Sequence, residues 1–204
     1  MAVVRFKRSV PAVKSEPAAS SALPLSVTRP EILVDGSDRE FRRLIHRMLI
    51  GSARLAAVRE SIAERIGVSG TQYTMLMSVL RLQGSAGISI TELADYLEVT
   101  GPHVTGVIGK LAARGFVRKA ANPKDRRGVL VRLTPMGRKR LLAAFGFIAN
   151  VNDRLFEGVS REEYRAISSF HAKFIGNTKA TLDWIERQAG ASGQSRVQSR
   201  VTEF

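Results

Sequence analysis

The chain contains no cysteine. That excludes disulfide staples, cysteine-based zinc sites, thiol nucleophiles and thiol redox switches. Histidine is nearly as scarce. His46, His103 and His171 are the three in 204 residues, too scattered to form a metal motif. Long apolar runs are missing too: the longest, residues 141–149, has nine residues including Gly146. A bilayer span needs about 20. Near the start, Arg5, Lys7 and Arg8 interrupt the apolar residues, so no secretory signal is read there. The expectation is a cytoplasmic protein with no membrane partner. No H-E-x-x-H, G-x-S-x-G or Ser-His-Asp signature appears, so neither an enzyme site, a cofactor nor a metal is expected. The spacing Gly101-x-x-x-x-Gly106 does not make a phosphate loop, because Val107 follows where lysine is needed and no strand precedes.

Acidic residues are the other shortage. Asp plus Glu number 18 against 32 Lys plus Arg, a formal net charge of +14. A pI near 11.1 points to a polyanionic partner, nucleic acid first and an acidic membrane surface second. The apolar fraction of 44% and charged fraction of 25% are those of a globular chain, long enough to bury a core. The excess charge is concentrated. Residues 99–140 hold eleven Lys or Arg against Asp125 alone, which is ten of the fourteen net charges. A solvated face usually mixes signs, so this block calls for a function beyond solubility.

Residues 1–36 carry four of the seven prolines and show no helical or strand period; they read as a disordered N-terminal tail. Residues 189–204, rich in Gly, Ser, Gln and Arg, read as a disordered C-terminal tail. The folded part is expected over 37–188. Ser37 and Glu40 have capping-box spacing, ahead of a long amphipathic helix with Phe41, Leu44, Ile45, Met48, Leu49, Leu55, Val58, Ile62 and Ile66 on its stripe, ending near Gly67. A second helix is predicted over 71–82. Ser89 and Glu92 form another capping box, opening a short helix over 90–97. Thr100 caps the next helix, with Pro102 in its first turn and Val104, Ile108 and Leu111 on its apolar face. The period then changes. Residues 116–119 and 128–133 read as two strands joined by a turn over 121–127. Thr134-Pro135 starts a long helix to about Phe156, and Ser160 with Glu163 opens the last.

Two short helices around a tight turn at 98–100, followed by a β-hairpin, make a winged helix-turn-helix. The predicted class is mainly α with a small β-hairpin wing and long terminal dimerisation helices, the DNA-binding core lying over 89–140. The helix from Gly101 is of a size to enter a major groove. Lys124, Arg126 and Arg127 at the hairpin tip suit the adjacent minor groove.

Four stretches carry a family resemblance: residues 89–94 (SITELA), 99–105 (VTGPHVT), 111–117 (LAARGFV) and 122–137 (NPKDRRGVLVRLTPMG). They resemble the DNA-binding core of the MarR (multiple antibiotic resistance regulator) family, and the D-R-R…L-T-x-x-G wing signature is the most specific part. The resemblance runs from about Asp38 to Arg187. It implies a bacterial, nucleoid-associated, ligand-responsive homodimeric regulator, usually a repressor, binding a palindromic operator in double-stranded DNA. The first and last two helices would form the dimer interface. It further implies that Asp125 orients an arginine into the minor groove, Arg127 matching that position and Arg126 flanking it. Thr100, Gly101, His103, Thr105 and Lys110 fall where family members face phosphates or base edges. Small aromatic or phenolic acids would bind between the dimer helices and the winged domain, where His46, Tyr73 and Met77 are the candidates; core packing is the competing reading for each. This chain departs from the pattern at Gly101, Gly106 and Gly109, where family members often carry arginine or a polar residue. Three glycines weaken the helix and remove guanine-pairing side chains, leaving more of the specificity to the wing and to DNA shape. An architectural or RNA-associated basic winged-helix protein is the alternative.

Overall fold

A computed structural model describes residues 24–123 and 125–191, the side chains of 125–127 and 191 excepted. The chain divides into two compact units, Met1–Arg54 and Leu55–Phe204.

The described part of the first unit begins with local structure inside the expected tail. Pro30–Ile32 form a single 3-10 turn. Val34 and Ser37 then exchange both backbone hydrogen bonds, at 3.0 and 2.9 Å, around Asp35 and Gly36, whose φ angles are 51° and 72°. Two consecutive positive φ values are what a tight two-residue turn of this hand requires, and Asp-Gly supplies them at low cost. Asp38 is buried. Its Oδ2 accepts from the Ser26 N–H at 2.7 Å and the Ser26 hydroxyl at 2.5 Å, while Oδ1 pairs with Arg42 at 3.0 Å. The hydrogen bonds from Ser26 hold this carboxyl below its ordinary value, with Arg42 adding to the effect. Asp38 thus ties the stretch from Ser26 to the start of helix α1 (Arg39–Ile66). The Ser37–Glu40 capping box does not form. The Ser37 hydroxyl accepts instead from the Arg39 N–H at 3.3 Å, and Glu40 pairs with Arg43 at 2.5 Å. The helix begins one residue later than a Ser37 cap would place it, because Asp38 takes the anchoring role.

In the second unit α1 ends where expected, with Gly67 at φ +83°. Helix α2 (Gly70–Leu82) opens on a capping box between Ser69 and Gln72. Strand β1 (Ile88–Ser89) leads directly into α3 (Ile90–Leu97), capped by the predicted Ser89–Glu92 box, whose two hydrogen bonds from Ser89 hold Glu92 below its ordinary value. Helix α4 (Gly101–Ala113) follows, then β2 (Val117–Asn122), β3 (Asp125–Leu133), α5 (Pro135–Leu155) and α6 (Arg161–Ala191). Both wing strands are longer than the apolar pattern indicated, and the turn between them is shorter. Residues 120–122 (Ala-Ala-Asn) and 125–127 (Asp-Arg-Arg) continue the strands because an exposed hairpin needs no alternating apolar face. The sheet order is β1-β3-β2, all antiparallel, with Ile88 opposite Val131 and Val117 opposite Leu133.

The core gathers one face of each element: Leu76 and Val79 from α2, Leu93 from α3, Val104, Ile108 and Leu111 from α4, Phe116 and Val131 around the sheet, and Leu141 from α5. None of these exposes as much as 1% of its surface. The T-x-x-G part of the wing signature has a packing explanation. The Thr134 hydroxyl accepts from the Gly137 N–H at 2.9 Å and donates to the Gly115 carbonyl at 2.6 Å. A Cβ on Gly137 would lie 2.1 Å from the Phe116 carbonyl oxygen, so only glycine lets α5 start against the end of the α4–β2 connection.

Helix α6 is a bare rod within its unit. Among residues 161–190, all are exposed except Phe174 and Ala189, which are half-buried. Its apolar stripe includes Tyr164, Ile167, Phe170, Ile175, Leu182 and Trp184, each between 42% and 56% exposed.

Candidate nucleic-acid interface

Helix α4 is held by its apolar face and leaves the opposite face to solvent. The α3–α4 corner is closed by Glu98 in the left-handed region at φ 53°, and the Val99 N–H bonds the Ala94 carbonyl at 3.0 Å. Thr100 occupies the N-cap position, but its hydroxyl makes no capping bond, contrary to the predicted cap; Pro102 in the first turn sets the helical φ instead. The Thr100 side chain is therefore uncommitted to the helix. On the outer face, Pro102, Thr105, Gly106, Lys110 and Ala113 are exposed, while Gly101, His103 and Gly109 are half-buried. An added Cβ at Gly101 or Gly106 would meet nothing within 4 Å, and at Gly109 only the Lys119 ammonium at 4.0 Å. Packing within the chain does not require glycine at any of the three.

The basic block surrounds this face. Lys110 lies on α4, Arg118 and Lys119 are exposed on β2, and Arg138 and Lys139 are exposed on the first turns of α5. Ion pairs among the described residues are confined to Arg29–Glu31, Arg42–Asp38 and Arg43–Glu40. The block thus carries positive charge with no carboxylate partner among the described residues, an arrangement that attracts a polyanion. Two exposed members lie against a buried ring. Arg114 and Arg140 place their guanidinium carbons 5.4 and 5.3 Å from the ring centroid of the fully buried Phe116. Of the predicted wing residues, Lys124 lies outside the described residues. The backbones of Asp125, Arg126 and Arg127 open β3, and their side chains lie outside the described set. Arg118, Lys119, Arg138 and Lys139 were not singled out from sequence, although the one-signed charge block contained them.

The three candidates for a ligand site are placed differently. Tyr73 is buried in the core cluster, with the Arg59 guanidinium 5.9 Å from its ring, and burial pushes its phenol above the ordinary value. Met77 is half-buried against the same cluster. His46 is exposed and belongs to the first unit. A separate groove lies between the start of α3 and the wing, lined by residues including Ser89, Thr91, Thr105, Asn122 and Val129. Among the described residues no cluster of His, Asp or Glu could hold a metal ion, and no helix is long and apolar enough to cross a membrane.

A helix-turn-helix with its second helix exposed, buttressed by a three-stranded wing, defines the winged-helix class. Residues 66–128 match the family model described as MarR family. The chain is 35% identical over 75 residues to the transcriptional activatory protein BadR of Rhodopseudomonas palustris, covering 37% of this chain and 43% of that protein. It is 36% identical over 72 residues to the multiple antibiotic resistance protein MarR of Salmonella typhimurium, covering 35% and 48%. It spans less than half the length of each of these curated relatives. In fold it is similar to a mutant MarR from E.coli complexed with operator DNA, with a TM-score of 0.57 and 23% identity over 67% of this chain and 94% of that one. The winged-helix segment of this chain is thus similar to the MarR family in sequence and in fold.

Proposed function

We propose that the protein is a sequence-specific DNA-binding transcriptional regulator that acts as a homodimer in the cytoplasm, with α4 in the major groove and the wing at the minor groove. The carrying observation is the coincidence of two independent features. The outer face of α4 is free of packing duties, and the lysines and arginines around it have no acidic partner among the described residues. Lys110, Arg118, Lys119, Arg138 and Lys139 are assigned to phosphates, which position the protein. Thr100, Gly101, His103 and Thr105 are assigned to the groove floor. Lys124, Arg126 and Arg127 are assigned to the minor groove, with Asp125 orienting Arg127.

The homodimer rests on α6. A 31-residue helix exposing this much apolar surface needs a partner, and a second copy of the chain supplies an identical stripe. Two α4 helices then meet DNA about one turn apart, roughly 34 Å. Repression relieved by a small aromatic or phenolic acid is the finer part of the proposal. Tyr73 lies in the packed core and Met77 is half-buried against it, so such a ligand would act there by disturbing α2 rather than by filling a ready cleft.

The test is selection of duplexes from a random pool by the full chain, followed by a footprint on the enriched sequence with excess bulk DNA present. A palindromic protected site whose protection is lost on adding aromatic acids is the expected result. Uniform protection without enrichment would replace this reading with the architectural one.

A further inference from the structure

Arg114 belongs to the basic block that the charge pattern assigns to DNA, yet its guanidinium is engaged within the chain. It stands at the C-cap of α4. One terminal nitrogen donates to the Gly67 carbonyl, and the other donates to Oε1 of Gln72 at 3.3 Å. Its guanidinium carbon lies 5.4 Å from the Phe116 ring centroid. Gly67 immediately follows α1, so its carbonyl sits at the negative end of that helix, where a cation is favoured. Gln72 is the capping-box residue of α2, and the same Oε1 accepts from the Ser69 N–H at 3.2 Å. One planar fork therefore fastens the end of α4 to the end of α1, the start of α2 and the first residue before β2. Lysine, a single point charge, cannot make that set of contacts.

We infer that Arg114 is a positioning residue for α4, setting its inclination against the α1–α2 corner, and is not one of the phosphate contacts. The inference rests on the reading of α4 as the recognition helix. Its mechanical logic comes from leverage. Thirteen residues span roughly 20 Å, so a swing of about 5° at the C-cap moves the other end by roughly 1.7 Å. Groove contacts depend on hydrogen-bond distances held within a few tenths of an ångström. The three glycines make α4 intrinsically weak, which increases its dependence on an anchor outside the helix. Arg140 approaches the same Phe116 ring but has no hydrogen bond to the corner among the described residues, so the anchoring belongs to Arg114.

The experiment uses the full chain and a 30-base-pair duplex enriched by the wild-type protein from a random pool. Dissociation constants are measured from low to physiological salt for Arg114→Ala, Arg114→Lys and Gln72→Glu. They are repeated on the same duplex with one base pair inserted between half-sites, and thermal unfolding confirms that each variant is folded. Positioning predicts that Arg114→Lys loses affinity by about tenfold, close to the loss for Arg114→Ala, with the wild-type salt slope and weaker discrimination against the inserted duplex. Gln72→Glu adds a negative charge but keeps both acceptor roles, and retains wild-type affinity and spacing preference. Wild-type binding by Arg114→Lys, or a salt slope for Arg114→Ala shallower by about 0.9 per subunit, would assign the side chain to phosphate and overturn the inference. If Arg114→Ala does not fold, Arg114→Lys and Gln72→Glu decide the matter alone. Failure of the wild-type protein to enrich any duplex would instead refute the DNA-binding reading.

Discussion

Replacing Gly106 by alanine separates what α4 does for the fold from what it does for DNA. Glycine in a helix interior costs about 1 kcal/mol relative to alanine, because it loses more backbone freedom on folding. At Gly106 the new methyl group meets no atom within 4 Å, so nothing in the chain offsets the gain. The variant is expected to be more stable by about 1 kcal/mol, or roughly 2–4 °C in melting temperature for a chain of this size. DNA affinity should move the other way. The added carbon projects from the exposed face between Pro102, Thr105 and Lys110, where a base edge or sugar would otherwise approach the backbone. Displacing one close contact costs about 1–3 kcal/mol, the order of a mismatched base pair, which is roughly a 5- to 150-fold loss in affinity. Calorimetry and a binding titration on one selected duplex measure both quantities on the same preparation. A gain in stability with unchanged affinity would refute the idea that these glycines admit close approach of DNA. A loss of stability would show that the helix face is packed against something in solution.

Three further outcomes are expected. Gly137→Ala should destabilise by about 1–3 kcal/mol or more, measured by urea unfolding, because its Cβ would fall 2.1 Å from a backbone oxygen that cannot rotate away. Asp125→Ala should weaken binding to A·T-flanked sites, as should Arg127→Ala, although removing a negative charge from a basic wing would by bulk electrostatics strengthen it; tighter binding at fixed salt would refute the orienting role. Asp38 has a folded pKa below its ordinary value of 3.8, so its contribution to stability is present above that value and lost as pH falls through the lower folded one. Hydrogen exchange across residues 24–42 should accelerate in acid more than exchange in the α2–α4 core, and equal acceleration would count against Asp38 as the anchor.

The winged-helix core was legible in the sequence because its signals are local. The Ser89–Glu92 and Ser160–Glu163 boxes, Thr134-Pro135 and the apolar spacing in α4 each depend on residues within one or two turns, and each formed as read. The Ser69–Gln72 box had the same kind of signal and went unread. Ser37–Glu40 had the pattern but not the outcome, since Ser26, twelve residues before Asp38, moved the anchor by one position. The one-signed charge block was likewise legible by count alone, and the structure places it around the outer face of α4.

What the tertiary structure decided depends on partners remote in sequence. Counting charges placed Arg114 in the basic block, and only the fold shows its hydrogen bonds reaching back 47 and 42 residues to Gly67 and Gln72. The family resemblance put Tyr73 among the ligand candidates, and only the fold places it in the packed core. The glycine of T-x-x-G was visible as a motif, but its cause is a carbonyl 21 residues earlier in the chain. Local hydrogen bonds and helical periodicity are encoded over a few residues, so the sequence by itself determined the elements and where the charge lies. Which basic side chains are free to meet a polyanion is settled only when distant carbonyls and rings compete for them, and that competition exists only in the folded chain.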